Sequence, residues 1–177
     1  MERIEIRNEK GKLHNLDGPA YKDNTVEAWY INGKLHRDKY NDSLALAGEN
    51  GPAVIYIHQK EWYINGKLHR ENGPAVICED FEENTLKYQW WVNGERHREN
   101  GPAIIYKDLD EKIERLEWFI NGLSHRENDE PAYIFKRNNK NERLIWYKNG
   151  LKHRENDFAF IDNVKKIKIW YKNGLKH

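Results

Sequence analysis

Seven histidines stand in one repeated setting: His14, His36, His69, His97, His125, His153 and His177. Arginine follows five of them, at Arg37, Arg70, Arg98, Arg126 and Arg154, and glutamate follows at Glu71, Glu99, Glu127 and Glu155. Imidazole, guanidinium and carboxylate in one short stretch could ligate a metal, relay protons or bind phosphate. Successive histidines are 22, 33, 28, 28, 28 and 24 residues apart, so they mark a repeat rather than one gathered cluster. If each unit contributes two or more strands at about 4.8 Å, equivalent histidines stand roughly 10 Å apart, beyond the reach of one shared zinc ion. No metal site and no cofactor is expected.

Nucleophilic catalysis fares no better. The chain has two serines (Ser43, Ser124), two threonines (Thr25, Thr85) and one cysteine (Cys78), none recurring beside a fixed base and orienting group. No glycine-rich phosphate loop leads into a helix. The expectation is a protein that is not an enzyme, with its histidines structural, each stacked on the tryptophan across its hairpin and bonded to a backbone group of the bend. The Arg-Glu pairs are expected to form a solvated stripe of ion pairs, each worth little alone.

The elements that must position these residues follow from turn chemistry. Aromatic-aromatic-x-Asn-Gly recurs at Trp29 to Gly33, Trp62 to Gly66, Trp90 to Gly94, Trp118 to Gly122, Trp146 to Gly150 and Trp170 to Gly174. Asn-Gly between short apolar runs predicts a two-residue hairpin loop with positive φ at both positions. In the first copy Ile31 then faces Lys34, Tyr30 faces Leu35 and Trp29 faces His36. The structural ladder is therefore Trp29 with His36, Trp62 with His69, Trp90 with His97, Trp118 with His125, Trp146 with His153, and Trp170. Strand alternation puts Tyr30, Tyr63, Trp91, Arg96, Phe119, Tyr147 and Tyr171 on the opposite, half-wet face. After each histidine, Asn-Gly-Pro-Ala or its decayed forms "NDEPA" and "NDFA" predict a bend and then a returning strand. The expected fold is all-β: an elongated single-domain array of repeated antiparallel hairpins, an open meander or solenoid of about six units of 28 residues covering 1–177, beginning near 3, 27, 60, 88, 116, 144 and 168. Rings in successive hairpins would form the spine of one continuous sheet. The insert at 38–50 breaks the period, and "DSLALA" within it is the only stretch with helical promise.

Composition bounds the rest. The single cysteine fits a reducing compartment, the opening residues are charged and no apolar run reaches membrane-spanning length, so a soluble cytoplasmic protein without membrane contact is expected. Net charge is +1, but residues 133–177 carry 12 Lys/Arg against 4 Asp/Glu while residues 1–132 carry 18 against 25. The expected body is acidic with a basic end.

Aromatic, Asn-Gly, two residues, His, and then a Gly-containing bend and strand resembles the MORN-type repeat, whose core is an aromatic position followed by Gly-x-x-His-Gly. It is similar to the divergent bacterial form in YwqK-type antitoxin-like proteins and to "NGK-x-HR-x-x-GPA" arrays of phage and large viruses. The resemblance covers nearly the whole chain and implies a hairpin array used for binding and scaffolding. Arg37, Arg70, Arg98, Arg126 and Arg154 depart from it, standing where that repeat has glycine.

Three partner classes follow. The first is another protein docked on the second aromatic face, with Tyr40 of the insert as a further contact; by analogy with the family this partner is a toxin or host-defence enzyme neutralised by blocking. The second is single-stranded RNA or DNA at the basic end, through Lys136, Arg137, Lys140, Arg143, Lys165, Lys166 and Lys168 near Tyr147 and Tyr171. The third is a homo-oligomer, acidic end to basic end. The loops "CEDFEENTLK", "KDLDEKIER" and "KRNNKNER" grade from acidic to basic, an extended electrostatic surface if they share an edge.

Overall fold

A computed structural model of the chain describes residues 3–37 and 51–177. Every element among these residues is a β-strand, and all pairing is antiparallel. The chain divides into two compact units, Met1–Cys78 with Trp91–Gly94, and Glu79–Trp90 with Glu95–His177. The insert and its Tyr40 lie outside the described residues.

In the first unit the strands Ile4–Glu5, Tyr21–Lys22, Val26–Ala28, Val54–Tyr56, Gln59–Glu61 and the first three residues of Val76–Asp80 pair in chain order. In the second, Thr85–Gln89, Ile104–Asp108, Ile113–Glu117, Tyr133–Arg137, Lys140–Ile145, Phe160–Asp162 and Ile167–Ile169 do the same. Neither run closes on itself, so each unit is an open meander of hairpins.

The Asn-Gly hairpins form as their residues predict. Tyr30 pairs with Leu35 and Ile31 with Lys34, while Asn32 and Gly33 have φ of 51° and 79°. The other five turns repeat the positive pair, from Asn65 and Gly66 to Asn173 and Gly174. A left-handed residue costs an L side chain roughly 1–2 kcal/mol, least for asparagine and nothing for glycine, so these two types fall where the turn requires them.

These hairpins are not strands of the main sheet, which corrects the expectation of one continuous spine. Each is a separate two-stranded ribbon, and the tryptophan is the switch point. Trp118 donates its N–H to the Ala132 carbonyl at 2.8 Å, within the sheet, and accepts from the His125 N–H at 3.2 Å, within the ribbon. The same pair of bonds recurs at Trp29, Trp62, Trp90 and Trp146. A strand whose N–H and C=O serve different partners must leave the sheet there. The residue pairs of the ribbons thus stand, but their ladder is a second one beside the sheet.

The core sits at the Ala of Gly-Pro-Ala. Ala20, Ala53, Ala75, Ala103 and Ala159 are 0% exposed and Ala132 is 1% exposed. Ala103, Ile104 and Phe119 form a buried cluster against which Trp90 packs. A methyl group is the side chain that lets an indole and two neighbouring strands close over it, which is why this position is alanine in all six copies.

Candidate functional site

Each of six patterned histidines, His14, His36, His69, His97, His125 and His153, is a connector to the next ribbon. Its Nδ1 accepts the backbone N–H of the next Asn-Gly turn: in the first unit Asn32 to His14, Asn65 to His36 and Asn93 to His69, all at 3.1 Å. In the second, Asn121 donates to His97 at 3.2 Å, and Asn149 to His125 and Asn173 to His153 at 3.1 Å. Beside it, each turn glycine donates to the residue preceding the histidine, as in Gly122 to Arg96 and Gly150 to Ser124, both 2.9 Å. With Nδ1 accepting, the ring proton is on Nε2, which donates to Glu127 at 2.8 Å and to Glu155 at 3.2 Å. His69 to Glu71 and His97 to Glu99 are looser, at 3.9 and 4.0 Å.

Arginine, not histidine, covers the tryptophan. The guanidinium carbons of Arg37, Arg70, Arg98, Arg126 and Arg154 lie 4.0, 4.0, 3.7, 3.9 and 4.1 Å from the ring centroids of Trp29, Trp62, Trp90, Trp118 and Trp146. Their Nη1 groups donate across the bend, to Pro52, Pro74, Pro102 and Pro131 carbonyls at 3.0–3.2 Å and to Phe158 at 3.5 Å. Guanidinium rather than imidazole thus covers the indole, and these arginines are half-buried rather than solvated, while Arg126 still pairs with Glu130 at 3.5 Å and Arg154 with Asp129 and Asp157 at 2.9 and 2.8 Å. A planar cation caps an aromatic face and spans the bend at once, which imidazole is too short to do from the neighbouring position.

The second aromatics turn toward the sheet more than the sequence suggests. Phe119 is buried, 9% exposed, so it does not lie on an open docking face, and the half-buried Arg96 is 5.4 Å from its ring centre. Tyr63 is half-buried and donates to Glu61 of the sheet at 2.9 Å; burial, then the Glu61 carboxylate, raises its phenol well above the usual range. Tyr147 is raised by burial first and then by the Glu117 carboxylate. Tyr30, Trp91 and Tyr171 are half-buried. Lys152 lies 5.0 Å from the Tyr171 ring centre and 5.6 Å from that of Phe160.

The basic candidates split. Lys136 pairs with Glu114 at 2.7 Å, Arg143 with Asp162 at 3.0 Å and Arg137 with Glu142 at 4.0 Å, whereas Lys140, Lys165, Lys166 and Lys168 are exposed. Lys107 shares Glu114, whose carboxyl is lowered chiefly by its hydrogen bond with Lys136. Lys140 is at the far end of its strand from Tyr147, roughly 20 Å of extended chain away. Lys140, Lys165 and Lys166 thus stand at hairpin tips away from Tyr147 and Tyr171, whereas Arg143 and Lys168 lie four and three residues from those rings along the chain.

What the fold does bring together, in the second unit, is the row of long hairpin tips. Leu109 N–H donates to the Asn84 carbonyl at 3.1 Å and the Asn84 amide to Asp110 at 2.8 Å. Asn138 N–H reaches Lys112 at 3.0 Å; Asn163 reaches Glu142 at 2.7 Å through its backbone and Asn141 at 2.8 Å through its side chain. Aspartates shape these tips: Asp80 accepts from the Glu82 and Glu83 amides, Asp108 from Glu111 and Asp162 from Lys165, at 2.8–3.0 Å. The Lys165 amide is also the main cause of the lowered Asp162 carboxyl. Sequence reasoning passed over these aspartates, although an Asp opening a tip loop, as in three of the four tips, is the mark of an Asx turn. The edge carries Asp80, Glu82 and Glu83 at one side and Lys165 and Lys166 at the other, and it exposes Phe81 (76%), Leu109 (48%) and Val164 (65%).

Between successive bends of the same unit lie two open clefts. One, of about 520 Å³, is lined by Arg98 to Gly101 and His125 to Asn128; the other, of about 300 Å³, adds Asp129, Trp146 and Arg154. Among the described residues no three His, Cys, Asp or Glu side chains converge as a metal site, and no helix is long and apolar enough to cross a membrane. Compared with known proteins, the chain matches no protein-family model and no curated sequence.

Proposed function

We propose that this protein is a non-enzymatic scaffold that binds another protein through the tip edge of its second unit. The observation that carries the reading is the stitched row of tips, where Phe81, Leu109 and Val164 stand exposed within a charge gradient from Asp80, Glu82 and Glu83 to Lys165 and Lys166. Exposed apolar side chains held by a hydrogen-bonded edge suit a pre-organised interface, because little conformational freedom is lost on docking. The opposed charges favour a partner of complementary pattern and set its orientation. In the MORN-like reading, a neutralised toxin or host-defence enzyme is the kind of partner such an edge would block.

The test is parallel affinity capture from the native host with the wild-type chain, with a Phe81→Asp, Val164→Asp variant, and with a Glu99→Ala variant on the bends. A protein retained by wild type and Glu99→Ala but lost with the tip variant supports the reading. Equal retention by all three places the interface elsewhere, and capture abolished by nuclease and low-affinity at high salt assigns the basic tips to nucleic acid instead.

A further inference from the structure

The chain contains Asn-Gly in two different structural settings, and the fold treats them differently. In an Asn-Gly pair, the glycine amide nitrogen can attack the preceding side-chain carbonyl carbon. The new C–N bond closes a five-membered succinimide, the amide proton is lost and ammonia leaves. Water then opens the ring to aspartate or isoaspartate. One water is consumed, one ammonia is released and no oxidant is needed. The step demands a glycine nitrogen free to lose its proton and swing toward the side chain, which is why such asparagines are thermolabile.

Six of the pairs are the ribbon turns. There the attacking nitrogen is engaged: Gly33, Gly66, Gly94, Gly122, Gly150 and Gly174 all donate to the preceding ribbon at 2.8–2.9 Å. The asparagine N–H is engaged too, by the histidine Nδ1 at 3.1–3.2 Å. Reaction at a turn must first break both hydrogen bonds to the preceding hairpin.

Asn72-Gly73 and Asn100-Gly101 lie instead in the bends, and both asparagines are exposed. Among the described residues, neither glycine amide enters the backbone ladder. The arginine that covers the tryptophan is pressed against this peptide. A Cβ at Gly73 would lie 3.1 Å from the Arg70 guanidinium carbon, and one at Gly101 would lie 3.1 Å from that of Arg98. The guanidinium therefore packs against the glycine, and a cation beside the peptide lowers the cost of the negative charge that builds on the deprotonated amide and the tetrahedral intermediate. Gly101 also has φ of 154°, which disfavours any other residue at that position.

We propose that Asn72 and Asn100 are sites of spontaneous deamidation in the folded protein, each assisted by its bend arginine, while the six turn asparagines are protected by the ribbon ladder. The product places a new carboxylate beside Glu71 or Glu99. As isoaspartate it also adds a backbone atom between Arg98 and its acceptor Pro102, now 3.0 Å apart across the bend. Deamidation therefore loosens the arginine clasp and makes the cleft beside Arg98 to Gly101 more acidic.

The test is peptide mapping by mass spectrometry on the full chain aged in mildly alkaline buffer, folded and in urea. In the folded chain Asn72 and Asn100 convert at least about tenfold faster than Asn121 and Asn149, since the latter react only through local opening. In urea the four rates converge. Asn128, followed by aspartate, is the slow bend control. Turn asparagines converting as fast as the bend ones in the folded chain would overturn the proposal, as would folded Asn72 and Asn100 no faster than Asn128.

Discussion

Replacing Arg98 separates the arginine clasp from a mere surface charge. Its guanidinium carbon lies 3.7 Å from the Trp90 ring centre and its Nη1 donates to Pro102 at 3.0 Å. The site is dry enough that burial lowers the guanidinium from its usual value. Arg98→Ala removes a cation–π contact worth about 0.5–2 kcal/mol and a charge-assisted hydrogen bond worth about 1.5–3 kcal/mol, and it leaves the Pro102 carbonyl without that donor. The expected loss is on the order of 2–4 kcal/mol, with Arg98→Lys recovering under half, because an ammonium neither stacks flat nor spans the bend. Glu99→Ala, by contrast, removes only an exposed carboxylate 4.0 Å from His97 and should cost under about 0.5 kcal/mol. Urea unfolding followed by tryptophan fluorescence and far-ultraviolet circular dichroism measures all three. Equal, small losses for Arg98→Ala and Glu99→Ala would refute the clasp and restore the solvated ion-pair stripe.

Three further outcomes follow from single positions. Ala103→Leu, at a site with 0% exposure, should overpack the cluster of Ile104, Phe119 and Trp90 and lower stability by about 1–3 kcal/mol, measured by the same unfolding curves. Gly122→Ala has room, its new methyl meeting only Glu95 at 3.7 Å, so its cost of about 1–2 kcal/mol comes from φ of 77° alone and shows in the unfolding midpoint. The Tyr88 phenol donates to Glu79 at 2.6 Å and is pushed up to about 12, the hydrogen bond leading and burial adding. Its contribution to stability is full below the ordinary tyrosine value of about 10 and is lost as pH rises through the folded value. A tyrosinate absorbance titration of wild type minus Tyr88→Phe should show one group ionising late.

The legible part of this protein was its local chemistry. Aromatic-aromatic-x-Asn-Gly in six copies determined six tight turns with positive φ, and strand alternation then set which residues oppose one another within each ribbon. Both follow from constraints a few residues long. The same holds for the all-β character and for the open meander of hairpins, since no stretch outside 38–50 offers helical spacing. The aspartates Asp80, Asp108 and Asp162 that open three tip loops are legible too, since an Asx turn needs only its own few residues.

What the tertiary structure alone decided is where each backbone and ring finds its partner. A tryptophan that gives its N–H to the sheet and its carbonyl to the ribbon looks, in sequence, like any strand residue. His125 and Asn149 are 24 residues apart, and only the stacking of one ribbon on the next brings the imidazole to that amide. The choice of arginine over histidine as the cover for tryptophan likewise depends on side-chain length and the path of the bend, which spacing along the chain does not encode. Long-range pairing is selected by the summed packing of many units, and no single residue carries it.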